Sequence, residues 1–424
     1  MPDSVTAPEG QLSRRDKFRA YMQAFNPTAP ARDVIEAGLV LDDLHQSLYR
    51  NLAARADLEP GSQQLLVGGV GSGKTTELIL AGRWLTGQGH ALPIYIDVSA
   101  ETDLSSLGSG SLLACFGLAL GTTVISGSFS GRNVSAKTKE LRRNYDRVTK
   151  YAYGKKIKRL VDPLADAESA CADEFEPYYV TEKVSGKLRP PVPPLDRGIQ
   201  GIRGAVENFL AVAKEGRKEV VAIFDGLDRL LDAEKFWSVV DQDLRLLREL
   251  RVSVLVTGPL SVLFGLAVGQ SIPDHFDRVH HLPVIASDPE STSLRSVLER
   301  RRGSELLSVK MADSVCRFSG GVLRDLISLA RDAAEEAYLS DHDSIRSEDV
   351  QKAVRQLGYS YLRGLGPAAI RTLLELESSS SFDINGLRSV ELLATRRVLE
   401  YSSTDFRVHP ALLSVIPRPE PKRA

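Results

Sequence analysis

QQLLVGGVGSGKTTEL, residues 63–78, decides the fold of this chain. Gly68, Gly73, Lys74 and Thr75 meet the spacing G-x-x-x-x-G-K-[ST] of a phosphate-wrapping loop. Ahead of the loop, Gln63 to Val67 reads as a short strand. Behind it, Leu78, Ile79, Ala81 and Leu85 recur at helical spacing. The glycines at 68, 69, 71 and 73 allow the backbone to curl until successive N–H groups face one concavity. The positive end of the following helix adds to that anion site. Lys74 is placed to reach terminal phosphates, and the Thr75 hydroxyl to ligate a bridging Mg²⁺. The candidate nucleotide-binding residues are therefore Gly68, Gly69, Val70, Gly71, Ser72, Gly73, Lys74, Thr75 and Thr76.

A metal-bridged triphosphate also needs a carboxylate across from the loop. EVVAIFDGLD, residues 219–228, supplies one. Val220 to Phe224 is an unbroken apolar run, as expected of a central parallel strand covered on both faces. It ends at Asp225, at the carboxyl edge of the sheet where open α/β folds take their ligands. Asp225 is thus the candidate metal-side carboxylate together with Thr75. Asp228, three positions on, reads either as a water-orienting base or as a helix cap. Further strands are expected at 92–99, 252–258 (ending beside Thr257) and 278–285. Strands alternating with helices predict a parallel sheet with helices on both faces.

With these segments in place the chain resembles P-loop ATPases of the AAA+/STAND group, nearest to bacterial relatives of the origin-recognition type. The resemblance is carried by GGVGSGKTTEL (68–78), VVAIFDGLDRL (221–231), VLVTGPL (254–260) and SGGVLRDLISLARDAAEEA (319–337). It implies ATP and Mg²⁺ as ligands, ATP hydrolysis, and assembly into a homo-oligomer. It also implies roles by position. Thr257 corresponds to the sensor beside the acidic strand, Arg324 to the lid arginine, and Arg278 to the finger inserted into a neighbouring subunit's site. One place departs from the pattern: brisk hydrolysers carry Glu directly after the strand's Asp, where this chain has Gly226. That departure keeps open a non-hydrolysing scaffold that exchanges ADP for ATP.

The expected organisation is a tail (1–30), a P-loop core (31–287), a helical lid (288–358), a winged-helix-like module (359–417) and a short tail (418–424). The fold class is α/β: a parallel ASCE-type P-loop sheet sandwiched by helices, then the lid and the module. Lid helices are expected near 290–302, 305–318, 322–339 and 347–357. The module resembles a winged helix through a first helix at 366–376, a second at 384–393 and a wing at 397–410. Such modules often bind DNA, so a DNA-binding initiator or regulator is a further reading. Its candidate basic residues are Arg388, Arg396, Arg397 and Arg407, few for phosphate neutralisation, so docking to protein is equally open.

Residues 131–200 interrupt the core. Residues 132–159 carry a net charge of +9 and include Tyr145, Tyr151 and Tyr153, which could stack on bases; residues 160–182 carry −7. The near-cancellation favours a solvated, self-paired excursion, with DNA contact through 132–159 as the other reading.

Composition narrows the remaining choices. The 424 residues carry 54 Lys+Arg against 55 Asp+Glu, so no bulk field drives the chain to nucleic acid or membrane. Three cysteines are too few for a disulfide framework, and residues 1–18 lack an apolar signal core; a cytoplasmic location is expected. No charged residue occurs between Asp103 and Arg132, but Ser, Thr and Gly break that run, predicting a buried core helix and not a membrane span.

Overall fold

The computed structural model describes residues 13–41, 44–101, 103–125, 135–153, 196–216, 218–230, 232–264, 272–286, 292–301, 305–379, 381–384 and 386–417. Contacts group the chain into two units: 45–282 with 384–394, and 1–44 with 283–383 and 395–424.

The first unit holds five parallel strands in the order β2-β3-β4-β1-β5. They are β1 (Gln63–Gly68), β2 (Ala91–Asp97), β3 (Glu219–Asp225), β4 (Ser253–Gly258) and β5 (Arg278–Leu282). Strands β1 and β4 are buried along their whole length, as is β3 after its first residue. That is why their central residues, 65–67, 220–224 and 254–256, are apolar without alternation. From β1 to β2 the chain moves one way along the sheet, and through β3 and β4 it returns. Right-handed crossovers then place the loop helix, Lys74–Gln88, on one face and the helices Ser111–Ile125, Asp196–Glu215 and Ala233–Glu249 on the other.

Thirteen of the fifteen residues of Ser111–Ile125 are buried, which accounts for the uncharged run. Its amino end is closed by the buried Asp243 carboxylate, which accepts from the N–H groups of Gly110, Leu112 and Leu113 at 2.6, 2.7 and 3.1 Å. No helix among the described residues is long and apolar enough to cross a membrane.

Helix Ser135–Tyr153 packs on Ser111–Ile125 and on Asp196–Glu215. Tyr145 is buried and takes a hydrogen bond from the Thr122 hydroxyl. Tyr151 lies so close over Gly201 that a Cβ there would meet its ring at 2.3 Å. Both rings are therefore packing groups. The acidic stretch 160–182 and the Pro-rich stretch 189–195 lie outside the described residues.

The second unit is helical, with Thr292–Arg300, Val309–Phe318, Leu323–Leu339 and Ser347–Leu362 close to the expected spans. The expected start at 288–290 lies outside the described residues. The N-terminal stretch departs from expectation: Arg14–Ala24, read as tail, is a helix whose Phe18 and Tyr21, with Phe25 beyond it, enter the core of this unit. Their spacing, i, i+3 and i+7, makes one apolar face. Tyr21 is fully buried and its hydroxyl has no hydrogen-bond partner among the described residues. Replacing it with Phe keeps the ring and removes an unpaired polar group. Tyr21→Phe should therefore raise unfolding stability by about 1 kcal/mol in urea; a loss of that size would show that the hydroxyl is satisfied in solution.

The winged-helix elements occur in the expected order: helix Pro367–Ser379, helix Leu387–Ala394, and the antiparallel pair β6 (Val398–Glu400) and β7 (Phe406–Val408). The first helix and the hairpin belong to the helical unit. Leu387–Ala394 groups with the sheet unit, packing on the turn Leu260–Val262. Three of the four arginines considered for DNA are engaged within the helical unit. Arg396 pairs with buried Asp325 at 2.8 Å, Arg397 donates to the Tyr361 and Arg363 carbonyls, and Arg407 grips Asp405 through two bonds. Asp325 also meets the Tyr361 hydroxyl and His409 Nε2. These partners hold its carboxyl below the usual range against the opposing effect of burial.

Candidate functional site

The sheet registers bring four strand ends level. Asp97 pairs with Asp225, Phe224 with Val256, and Leu66 with Thr257, so Asp97, Asp225 and Thr257 stand in a row beside the end of β1. The phosphate loop leaves β1 at Gly68 and enters its helix at Lys74. Gly73 caps that helix at φ +104°, a backbone state that L side chains rarely adopt.

Lys74 is buried and folds back over the loop. Its ammonium donates to the carbonyls of Gly68 and Gly69, both at 2.8 Å, and meets Asp228 Oδ2 at 2.9 Å. All three N–H bonds are thus matched. Asp225 is buried at the tip of β3. Its carboxylate accepts from the Tyr95 hydroxyl and the Gly226 N–H, each at 2.7 Å, and from the Thr75 hydroxyl. Burial pushes the Asp225 carboxyl up, and the nearby charges of Asp228 and Asp97 push the same way. Thr257 is fully buried; its hydroxyl accepts from the Leu227 N–H at 3.2 Å and keeps its own proton to donate.

The donor set suits a magnesium-bound polyphosphate. Thr75 and Asp225 offer hard oxygen ligands in direct contact, and the charges of Asp228 and Asp97 lie close to Asp225. Ser72 Oγ in the loop is buried with no hydrogen-bond partner among the described residues. A Cβ on Gly69 would meet nothing within 4 Å, which leaves open space beside the loop.

The structure therefore brings together Lys74, Thr75, Asp225, Asp228 and Thr257. It keeps Arg278 apart from them. Arg278 is the exposed first residue of β5, level with Gln64, at the amino edge of the sheet. Four residue steps along β1 separate that level from Gly68, about 13 Å along the strand. Arg324 is exposed in the first turn of Leu323–Leu339, in the helical unit.

Three contributors escaped the sequence reading. Asp97 accepts from the Ser99 N–H, the Ser99 hydroxyl and the Ala100 N–H; an acidic residue ending an apolar strand was its visible signal, as for Asp225. Tyr95 sits inside an apolar run and gave none. His45 donates to the Ser72 backbone, and burial lowers its pKa; its Nε2 has no partner among the described residues.

No family model matches the chain, and no curated protein does. Among solved structures it is similar to the Aeropyrum pernix ORC2 protein in ADPNP–ADP complexes, with 16% identity, TM-score 0.39, and coverage of 96% of this chain and 92% of that one. It is similar to Drosophila ORC bound to DNA at 12% identity and TM-score 0.42, over 93% and 81%. It is also similar to the Thermotoga maritima RuvB Holliday junction branch migration motor at 11% identity and TM-score 0.39, over 86% and 91%.

Proposed function

We propose that this chain binds ATP with Mg²⁺ at the loop of residues 68–76 and works as a nucleotide-operated switch with slow hydrolysis. The observation that carries the reading is the convergence of Lys74, Thr75, Asp225, Asp228 and Thr257 at one sheet edge. Loop N–H groups cradle the phosphates, and Lys74 leaves the Gly68 and Gly69 carbonyls to meet them. Thr75 and Asp225 would hold the magnesium, which supplies positive charge against the phosphate oxygens. Thr257 donates its remaining proton toward a γ-phosphate oxygen or the attacking water. Asp228 orients that water and takes its proton, with Lys74 setting the carboxylate's position.

Arg278, remote from its own loop along the strand, fits a role in a neighbouring subunit's site, which makes the active form a homo-oligomer in the cell interior. Arg324 reads the nucleotide from the helical unit. Gly226 favours the second reading, a scaffold that exchanges ADP for ATP without turnover.

A single-turnover assay on Asp228→Asn tests the catalytic assignment. The expected result is a fall in rate of about 10²-fold, the scale of a lost general base, with ATP affinity kept within a few-fold. An unchanged rate removes Asp228 from the chemistry. Wild-type protein that binds ATP and forms no product selects the scaffold.

A further inference from the structure

In the sheet unit, helix Leu48–Leu58 packs on the loop helix Lys74–Gln88. Two side chains tie it down. Glu77 Oε2, in the buried first turn of the loop helix, accepts from the Tyr49 N–H at 2.8 Å, and the Gln64 amide of β1 donates to the Leu52 carbonyl at 3.0 Å. Just ahead of this helix stands a turn closed by the Leu48 N–H on the His45 carbonyl at 3.2 Å. Its middle residues, Gln46 and Ser47, have φ of +54° and +56°. Left-handed backbone at two successive residues with a Cβ is costly, and it persists only where the surroundings fix it. The turn delivers the His45 ring to the Ser72 backbone.

His45 Nε2 is buried with no partner among the described residues, so Nδ1 makes that bond. The Ser72 N–H already donates to the Gly69 carbonyl at 3.2 Å, so the Nδ1–H donates to the Ser72 carbonyl. A trans peptide plane points its C=O and its N–H in opposite directions. The N–H of this plane belongs to Gly73 and has no acceptor among the described residues. Gly73, at φ +104°, offers little steric resistance to a flip of the plane. A flip would turn the negative end of the carbonyl toward the phosphates.

We infer that His45 is a positioning residue for the nucleotide: by holding the Ser72 carbonyl it keeps the Gly73 N–H aimed at the phosphates, a role that rests on the nucleotide reading proposed above. Burial disfavours the imidazolium, and a neutral ring with its one proton on Nδ1 meets the requirement. The N–H it aims makes a bond to an anion, stronger than one between neutral groups.

The test uses the intact chain, titrated calorimetrically with ATP and with ADP in magnesium. His45→Ala should weaken both nucleotides alike, by about ten-fold or more, because ADP keeps the α- and β-phosphates that loop N–H groups cradle. The number of sites per chain should stay as in wild type. His45→Asn sets an amide N–H where the Nδ1–H stood and should return affinity to within about three-fold of wild type. Affinity within about two-fold of wild type in His45→Ala overturns the role. So does an Asn variant as weak as the Ala variant, which would reduce the ring to packing. Fewer binding-competent molecules at unchanged affinity would make His45 a residue of fold stability and overturns the role as well. Wild-type protein that binds neither nucleotide removes the nucleotide reading and this inference with it. Wild-type binding beside an unaffected His45→Ala overturns this inference alone.

Discussion

Lys74→Ala should abolish measurable ATP binding, weakening affinity at least 100-fold, about 3 kcal/mol. The side chain is 4% exposed, and its ammonium is the donor shared by the Gly68 and Gly69 carbonyls and Asp228. Truncation removes the charge that faces the phosphates. It also leaves Asp228 without its cation, next to Asp225, whose carboxyl is already pushed up by burial and by Asp228. A stability loss of about 1–3 kcal/mol accompanies it, the cost of leaving buried groups unpaired. Binding is therefore read by fluorescent-nucleotide titration at a temperature where the variant's circular dichroism matches wild type. Affinity within three-fold of wild type would mean that the loop holds no phosphate.

The second large effect concerns Gly226. Installing the glutamate that brisk hydrolysers carry should not restore speed. Gly226 has φ +87°, and a Cβ there would lie 2.7 Å from Ser99 Cβ and 3.0 Å from Asp97 Oδ1. The glutamate would add a fourth carboxylate beside Asp97, Asp225 and Asp228. Gly226→Glu is expected to destabilise the fold by about 2–4 kcal/mol, from left-handed backbone strain plus the clash, without raising turnover. A variant as stable as wild type with ten-fold faster hydrolysis would show that the turn adapts, and that the missing glutamate alone sets the rate.

The physical basis of what was readable is visible in these residues. Strands β1, β3 and β4 are covered on both faces, so burial wrote itself as apolar runs at their centres, and the loop between β1 and its helix has a spacing that its chemistry demands. Strand ends followed from the runs, which is why Asp225 and Thr257 were found. Tyr95 was not, because its hydroxyl reaches Asp225 from a neighbouring strand, and only the β2–β3 register creates that contact. Nor was the Lys74–Asp228 pair, formed by residues 154 positions apart. The N-terminal helix, expected as part of a tail, is marked in the sequence by the spacing of Phe18, Tyr21 and Phe25. Arg396 and Arg397 looked available because their partners, Asp325 and the Tyr361 and Arg363 carbonyls, lie far from them in the sequence.

Calorimetric titration of the intact chain with ATP, in magnesium and then in excess EDTA, probes the loop and Asp225 together. Saturable binding of one ATP per chain that weakens at least ten-fold without the metal is the predicted result. No heat and no saturation at millimolar ATP, with magnesium present and the protein folded, would contradict it.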